Sequence, residues 1–131
     1  MKRILLSLVL FALAILPVSA AGPKQEGPLR FDSLVHDFGT VSLSDGELEC
    51  CFTATNTGDS DAVIYAVMTS CGCTRVEWTR ETIAPGETGF VKATYANDEG
   101  PYPFDKVLTV YIKDLPKPVL LHLRGVVTKK K

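Results

Sequence analysis

Two thiols separated by a single glycine, in the string Thr69-Ser70-Cys71-Gly72-Cys73-Thr74, carry the clearest chemical potential of this chain. In an extended strand, side chains at i and i+2 point to one face. Two residues of extended chain span roughly 6.6 Å, the upper edge of the Cα separation that a disulfide accepts. A bend at Gly72, which has no Cβ and tolerates positive φ, brings Cys71 and Cys73 closer. Three outcomes stay open on spacing alone. The pair can form a tight disulfide, more easily reduced than a relaxed one. It can chelate a soft ion such as copper or zinc, with thiolate sulfurs roughly 3.8 Å apart around tetrahedral zinc. It can also be two half-buried thiols closing the end of a strand. The spacing is not Cys-x-x-Cys, and no second pair completes a zinc ribbon. Cys51, Met68 and His36 are further candidate donors, but nothing in the sequence places them beside the pair.

No other constellation points to catalysis. Ser70 has no evident His or Asp partner, and His36 and His122 fall on separate strand-like runs. Asp98 and Glu99 form an acidic pair in a loop without metal-ligand spacing. The expectation is a chain with no catalytic residues and no cofactor, copper or zinc at Cys71 and Cys73 being the alternative.

The elements that must position the thiols begin after an apolar leader. Met1-Lys2-Arg3, the run Ile4 to Val18 and the small residues Ser19-Ala20-Ala21 read as a secretory signal peptide over residues 1–20, cut after Ala20. The apolar run is short for a membrane span and ends at Pro17, and no later stretch is long enough. The expected location is therefore the periplasm or the cell surface. Residues 21–29, rich in Pro and Gly, read as a flexible linker, 30–128 as the domain and 129–131 as a short basic tail. Loss of Lys2 and Arg3 leaves 12 basic residues against 15 acidic ones in a mature chain of about 110 residues. That balance, about −3, excludes nucleic acid as an expected partner. An unknown protein is the partner expected instead.

From Arg30 onward, strand-like runs recur every ten to fifteen residues with turn signals between them. The first, Arg30 to Phe38, ends at Gly39, read as a turn, with Phe38 as a core anchor. Glu47 to Asn56 alternates, so Leu48, Cys50, Phe52 and Ala54 face the core and Cys51 faces solvent. Ala62 to Thr69 is apolar on both faces and reads as a central strand. Arg75 to Trp78 reads as a short edge. Ala84-Pro85-Gly86-Glu87 carries the residues of a type II turn. Thr88 to Ala96, Phe104 to Lys113 and Val119 to Val127 complete the pattern. About seven strands and no helix give an all-β fold, an immunoglobulin-like antiparallel β-sandwich.

Four cysteines in an exported chain allow three pairings. Cys50 and Cys51 point to opposite faces, so both cannot bridge to the other two. A turn near Asp59 sets Cys50 level with about Met68, leaving Cys71 roughly 10 Å further along. The expectation is at most one disulfide, Cys71–Cys73, with Cys50 buried and Cys51 free.

Four strings, in this order and spacing, resemble a known family. They are His36-Asp37-Phe38-Gly39-Thr40-Val41, Phe52-Thr53-Ala54-Thr55-Asn56-Thr57-Gly58, Ser70-Cys71-Gly72-Cys73-Thr74 and Ile83-Ala84-Pro85-Gly86-Glu87. The chain resembles the bacterial domain of unknown function 1573, common in exported proteins of Bacteroidetes type, over about Phe31 to Val127. The resemblance implies an immunoglobulin-like sandwich similar to major sperm protein, with Ser70, Cys71, Gly72, Cys73 and Thr74 as signature positions. It implies no activity. Cys50 and Cys51 lie outside the motif.

Overall fold

Alternation of apolar side chains is what builds this molecule. The computed structural model describes residues 27–129, so the expected leader and most of the expected linker lie outside the described residues. The strands are β1 (Leu29–Phe31), β2 (Val35–Ser42), β3 (Leu48–Asn56), β4 (Ile64–Thr69), β5 (Thr74–Trp78), β6 (Thr88–Tyr95), β7 (Pro103–Ile112) and β8 (Val119–Thr128), with one 3-10 turn at Leu43–Asp45. They form two four-stranded sheets, ordered β1-β3-β6-β5 and β2-β8-β7-β4. The inner faces supply one core. Leu48, Cys50, Phe52 and Ala54 of β3 are buried in it, as are Val91, Ala93 and Tyr95 of β6, Leu108, Val110 and Ile112 of β7, and Leu121 and Leu123 of β8. Each fully buried Leu or Ile contributes about 1.5–3 kcal/mol. The Arg75–Glu47 ion pair, 2.9 Å long and more than half exposed on both sides, contributes about 0–1 kcal/mol. Apolar burial therefore holds the sandwich together.

The all-β sandwich stands as read, with differences of topology that periodicity does not encode. Among the described residues there are eight strands, and β2 runs parallel to β8 while the other pairs are antiparallel. The single run expected from Arg30 to Phe38 is two strands in different sheets, because the chain crosses between sheets after Phe31. Leu29, placed in the linker by composition, is a fully buried residue of β1. Gly39 does not end a strand. With φ of +69° it sits at an irregularity between Asp37 and Thr40, and β2 continues to Ser42. Phe38 packs on the core from a half-buried position, 6.2 Å from the Phe104 ring.

Strand β4 is an edge, not a central strand. A shift in its pairing with β7 between Ile64 and Ala66 turns Tyr65 outward, so burial runs Ile64, Val67 rather than every second residue. Strands β3 and β4 are in different sheets, so the expected alignment of Cys50 with Met68 does not exist. Pro85 and Gly86 do form the turn, with Gly86 at φ +83° and Glu87 N–H donating to Ala84 O at 2.9 Å.

Candidate functional site at the Cys71–Cys73 corner

The chain passes from the edge of one sheet to the edge of the other through Ser70-Cys71-Gly72-Cys73. Both ends of this crossover are held. Ser70 N–H donates to Val107 O at 3.0 Å, and Val107 N–H donates back to Ser70 Oγ at 3.1 Å. Beyond the thiols, Ala96 N–H donates to Cys73 O at 2.9 Å, and Cys73 packs against the core. Between these anchors Thr74 N–H bonds Cys71 O at 3.3 Å, closing a four-residue turn. The turn brings the cysteine Cα atoms to 5.2 Å, and a disulfide joins the two sulfurs. Gly72 is not among the residues with positive φ, and a Cβ there would meet nothing within 4 Å. An ordinary turn therefore makes the approach, not the left-handed freedom of glycine.

Three further side chains converge on this corner. Cys71 Sγ lies 3.6 Å from Glu99 Oε1. In the disulfide that sulfur has no proton to give, so this is a contact, and it becomes a hydrogen bond only in the dithiol. Lys106 Nζ holds the same carboxylate oxygen at 2.7 Å from a side chain only 16% exposed. Tyr95, 2% exposed, also bonds Glu99 through its side chain. Burial pushes the Tyr95 hydroxyl above its ordinary value, and the charges of Glu99 and Asp98 and the bond to Glu99 push it the same way. The loop carrying Glu99 is itself fixed. Asn97, at φ +57°, donates from Nδ2 to Ser42 O and Gly46 O, both at 3.0 Å. A sulfur of Cys71, a sulfur of Cys73 and a carboxylate oxygen of Glu99 all lie within 4.8 Å of one another.

Sequence reasoning missed Glu99 as a member of this group. The signal present was an acidic pair, Asp98-Glu99, but only the topology carries it to a turn 26 residues earlier in the chain. Among the described residues, the other suggested donors do not join. Cys51 faces outward opposite Lys92, Met68 lies opposite Thr109 on the outer face of β4, and His36 stacks edge-on against Phe38 at 4.5 Å. His122 pairs with Asp105 at 2.8 Å, and Arg124 reaches the other oxygen of that carboxylate at 3.1 Å. Burial alone raises the Asp105 carboxyl, but the bonds and charges of His122 and Arg124 outweigh it and lower the carboxyl below its usual range. A shallow hollow of about 490 Å³ on the outer face of the first sheet is lined by Glu49, Arg75, Glu77 and Lys92, away from the thiols.

The remaining cysteines differ sharply. Cys50 is buried and Cys51 exposed, and neither is bridged. Burial, then the charges of Cys51 and Glu49, push the Cys50 thiol up to about 12 from 9.0. A shift of that size leaves roughly a thousandfold less thiolate at pH 8 than an ordinary thiol has. Iodoacetamide at pH 8 is therefore expected to label Cys51 alone in the folded protein, and Cys50 only after unfolding, as peptide mass mapping would read. Equal labelling of both would refute the burial of Cys50. The folded value lies above the unfolded one, so this thiol's stabilising effect is full below pH 9 and is lost as pH rises toward 12. A Cys50→Ala variant is expected to lack that alkaline loss.

The fold and the corner together define a small β-sandwich module whose two sheets are joined at one edge by a disulfide-bridged turn. The chain belongs to the family described as protein of unknown function (DUF1573), whose model matches residues 29–127. It matches no curated protein. Among solved structures it is similar to a protein of unknown function from Porphyromonas gingivalis W83, with TM-score 0.65 and 16% identity over 84% of this chain and 51% of that one. It is also similar to part of the VesB protease of Vibrio cholerae, with TM-score 0.59 and 21% identity over 76% of this chain and 32% of that one. A C. elegans MSP family member, WR4, aligns along its full length with TM-score 0.54 and 11% identity, over 79% of this chain. At these identities the likeness is one of fold. The chain spans about half the length of the Porphyromonas protein and about a third of VesB.

Proposed function

We propose that this chain is an exported, non-catalytic module that binds another protein by accepting an extended segment along the edge of β4. The observation that carries the reading is the character of that edge. Among the described residues, strand β4 is bonded only to β7. Its sequence, Ile-Tyr-Ala-Val-Met-Thr, has no charge and no proline, two of the usual guards against edge pairing, and its one irregularity lies at its start, between Ile64 and Ala66. Tyr65 is 61% and Met68 58% exposed on it. On the same outer face Tyr65 stacks on Tyr111 at 5.9 Å, and Met68, Thr109 and Leu120 lie in one cross-strand row. The opposite-sheet edge β5 contrasts with it, carrying Arg75 and Glu77, the former paired to Glu47. An open edge gives a visiting strand main-chain hydrogen bonds, and alternate apolar side chains give it specificity.

Export is supported by the leader pattern and by a disulfide, which persists in oxidising compartments. The non-catalytic reading is supported by the engagement of Ser70 with Val107 and of His122 with Asp105. Among the described residues no helix is long and apolar enough to cross a membrane.

The test is selection from a displayed library of extended peptides, followed by amide NMR of the labelled domain. Selected peptides with alternating apolar residues are expected to shift the amides of Ile64 to Thr69. Tyr65→Lys with Met68→Lys is expected to weaken binding at least tenfold, about 1.4 kcal/mol. Peptides that bind with no shift along β4, or equally to the double variant, would overturn the reading.

A further inference from the structure

We infer that the reduced Cys71-Gly72-Cys73 turn and Glu99 form a three-donor site for one zinc-type divalent ion, closed when the disulfide forms. The inference is independent of the β4 edge. Three observations carry it. The two sulfurs, bonded to each other in the disulfide, and a Glu99 oxygen lie within 4.8 Å of one another, so after reduction the sulfurs need separate only to roughly 3.8 Å to share an ion with that oxygen. Each donor is held by other groups. The turn is tied through Ser70 to Val107 and through Cys73 O to Ala96, and the carboxylate is held by Lys106 at 2.7 Å and by Tyr95. Such outer contacts aim a ligand before the ion arrives. Finally, the charges match. Two thiolates and one carboxylate carry three negative charges, which a divalent ion and the Lys106 ammonium together balance.

The donor set also chooses the ion. Thiolates discriminate against calcium and magnesium, which take oxygen ligands. Copper(I) is satisfied by soft sulfur and gains little from a carboxylate, whereas zinc takes Cys and Glu together. Three protein ligands leave a fourth tetrahedral position to water.

Opening the site requires a two-electron reductant, for which a dithiol serves. Its two thiols give up two electrons and two protons and become a disulfide. The Cys71–Cys73 bond breaks, and both sulfurs become thiols. Zinc binding then releases those two protons to solvent as the thiolates form. Oxidation by a disulfide of the same class reverses the sequence and expels the ion. The corner thus couples metal occupancy to the thiol–disulfide state around it.

The test titrates zinc chloride into the intact chain in two states, as purified and after reduction with a phosphine that is then removed, reading stoichiometry by native mass spectrometry. One zinc per reduced chain and none per oxidised chain is expected. Glu99→Gln, at an exposed loop position, is expected to weaken zinc at least tenfold, while Asp98→Asn and Cys51→Ser leave it unchanged. Cobalt(II) in the reduced protein is expected to show sulfur-to-metal charge-transfer absorption of two thiolates, lost in Cys73→Ser. A reduced chain without stoichiometric zinc, or a Glu99→Gln variant that binds as the parent does, would overturn the inference. Zinc retained by the disulfide form, or lost in Cys51→Ser, would do the same.

Discussion

Asn56→Ala is expected to destabilise the sandwich by about 2–4 kcal/mol, although it removes no apolar residue. Asn56 ends β3 and is 1% exposed. Its Nδ2 donates to Ser60 O and Ile83 O, both at 2.8 Å, and its Oδ1 accepts from Gly58 N–H at 2.9 Å. Its backbone adds two more bonds, N–H to Glu87 O at 2.9 Å and O from Gly86 N–H at 2.8 Å. One side chain therefore fastens the 57–60 turn and the Ile83 segment to the end of β3, with the Pro85-Gly86 turn bonded to the same residue's backbone. Three side-chain bonds at about 1 kcal/mol each, with buried groups left short of a partner, set the magnitude. Ile83 O keeps a bond from Ala62 N–H, and Ser60 is exposed, so the loss stays short of the worst case. On a domain of this size such a change lowers the melting temperature by about 10–20 °C. Asn56→Asp sharpens the test. It keeps the acceptor for Gly58 but sets a carboxylate against two carbonyl oxygens. It is expected to be at least as destabilised at pH 7 and to recover partly near pH 4, where the protonated acid can donate. Urea unfolding at both pH values reads both effects. A loss under 0.5 kcal/mol for the alanine variant would mean that the bonds seen here are replaced by water without cost.

The same residue shows what was legible in the sequence. Asn56-Thr57-Gly58 announced a turn, and it is one, but nothing local to it tells that its amide reaches residue 83. Alternation in Glu47 to Asn56 gave the buried face of β3 residue by residue, including Cys50 in and Cys51 out, because a two-residue period is a local property. It gave neither sheet membership nor strand direction. The split of Arg30 to Phe38 into β1 and β2 depends on β1 pairing with β3 and β2 with β8, the second a contact between segments about 90 residues apart. Strand β4 was misplaced at the centre for a different reason. Two-sided apolarity is the usual mark of a strand covered on both faces. Here it marks an edge whose outer face carries exposed Tyr65 and Met68. At the candidate site the two sulfurs were legible from spacing, while Glu99, Lys106 and Tyr95 were not. They reach the turn from β6, β7 and the loop between, and no spacing rule spans that distance.

Tyr95 joins the core to that corner, and its truncation is expected to cost more than any surface change, about 3–5 kcal/mol for Tyr95→Ala. The residue ends β6, opposite Leu48 of β3 and Thr74 of β5. Its ring stacks on Phe104 across the sandwich at 4.5 Å, and Lys106 Nζ sits 5.7 Å from its centroid. A cavity there would open under Thr74 and beside the turn at once. Against a total stability of about 5–15 kcal/mol, the variant is expected to be partly unfolded at 37 °C. Tyr95→Phe separates the two roles. It keeps the ring and the stack and loses only the hydroxyl bond to Glu99, so its stability is expected to fall by about 1 kcal/mol or less. The loop that carries Glu99 loses one of its ties, and amide exchange at Asp98 to Gly100 is expected to quicken while exchange along β6 and β7 does not. If Tyr95→Phe destabilises as much as Tyr95→Ala, the hydroxyl and not the ring holds this corner. If the loop amides stay as slow as in the parent, Lys106 and Asn97 suffice to hold Glu99 against the thiols.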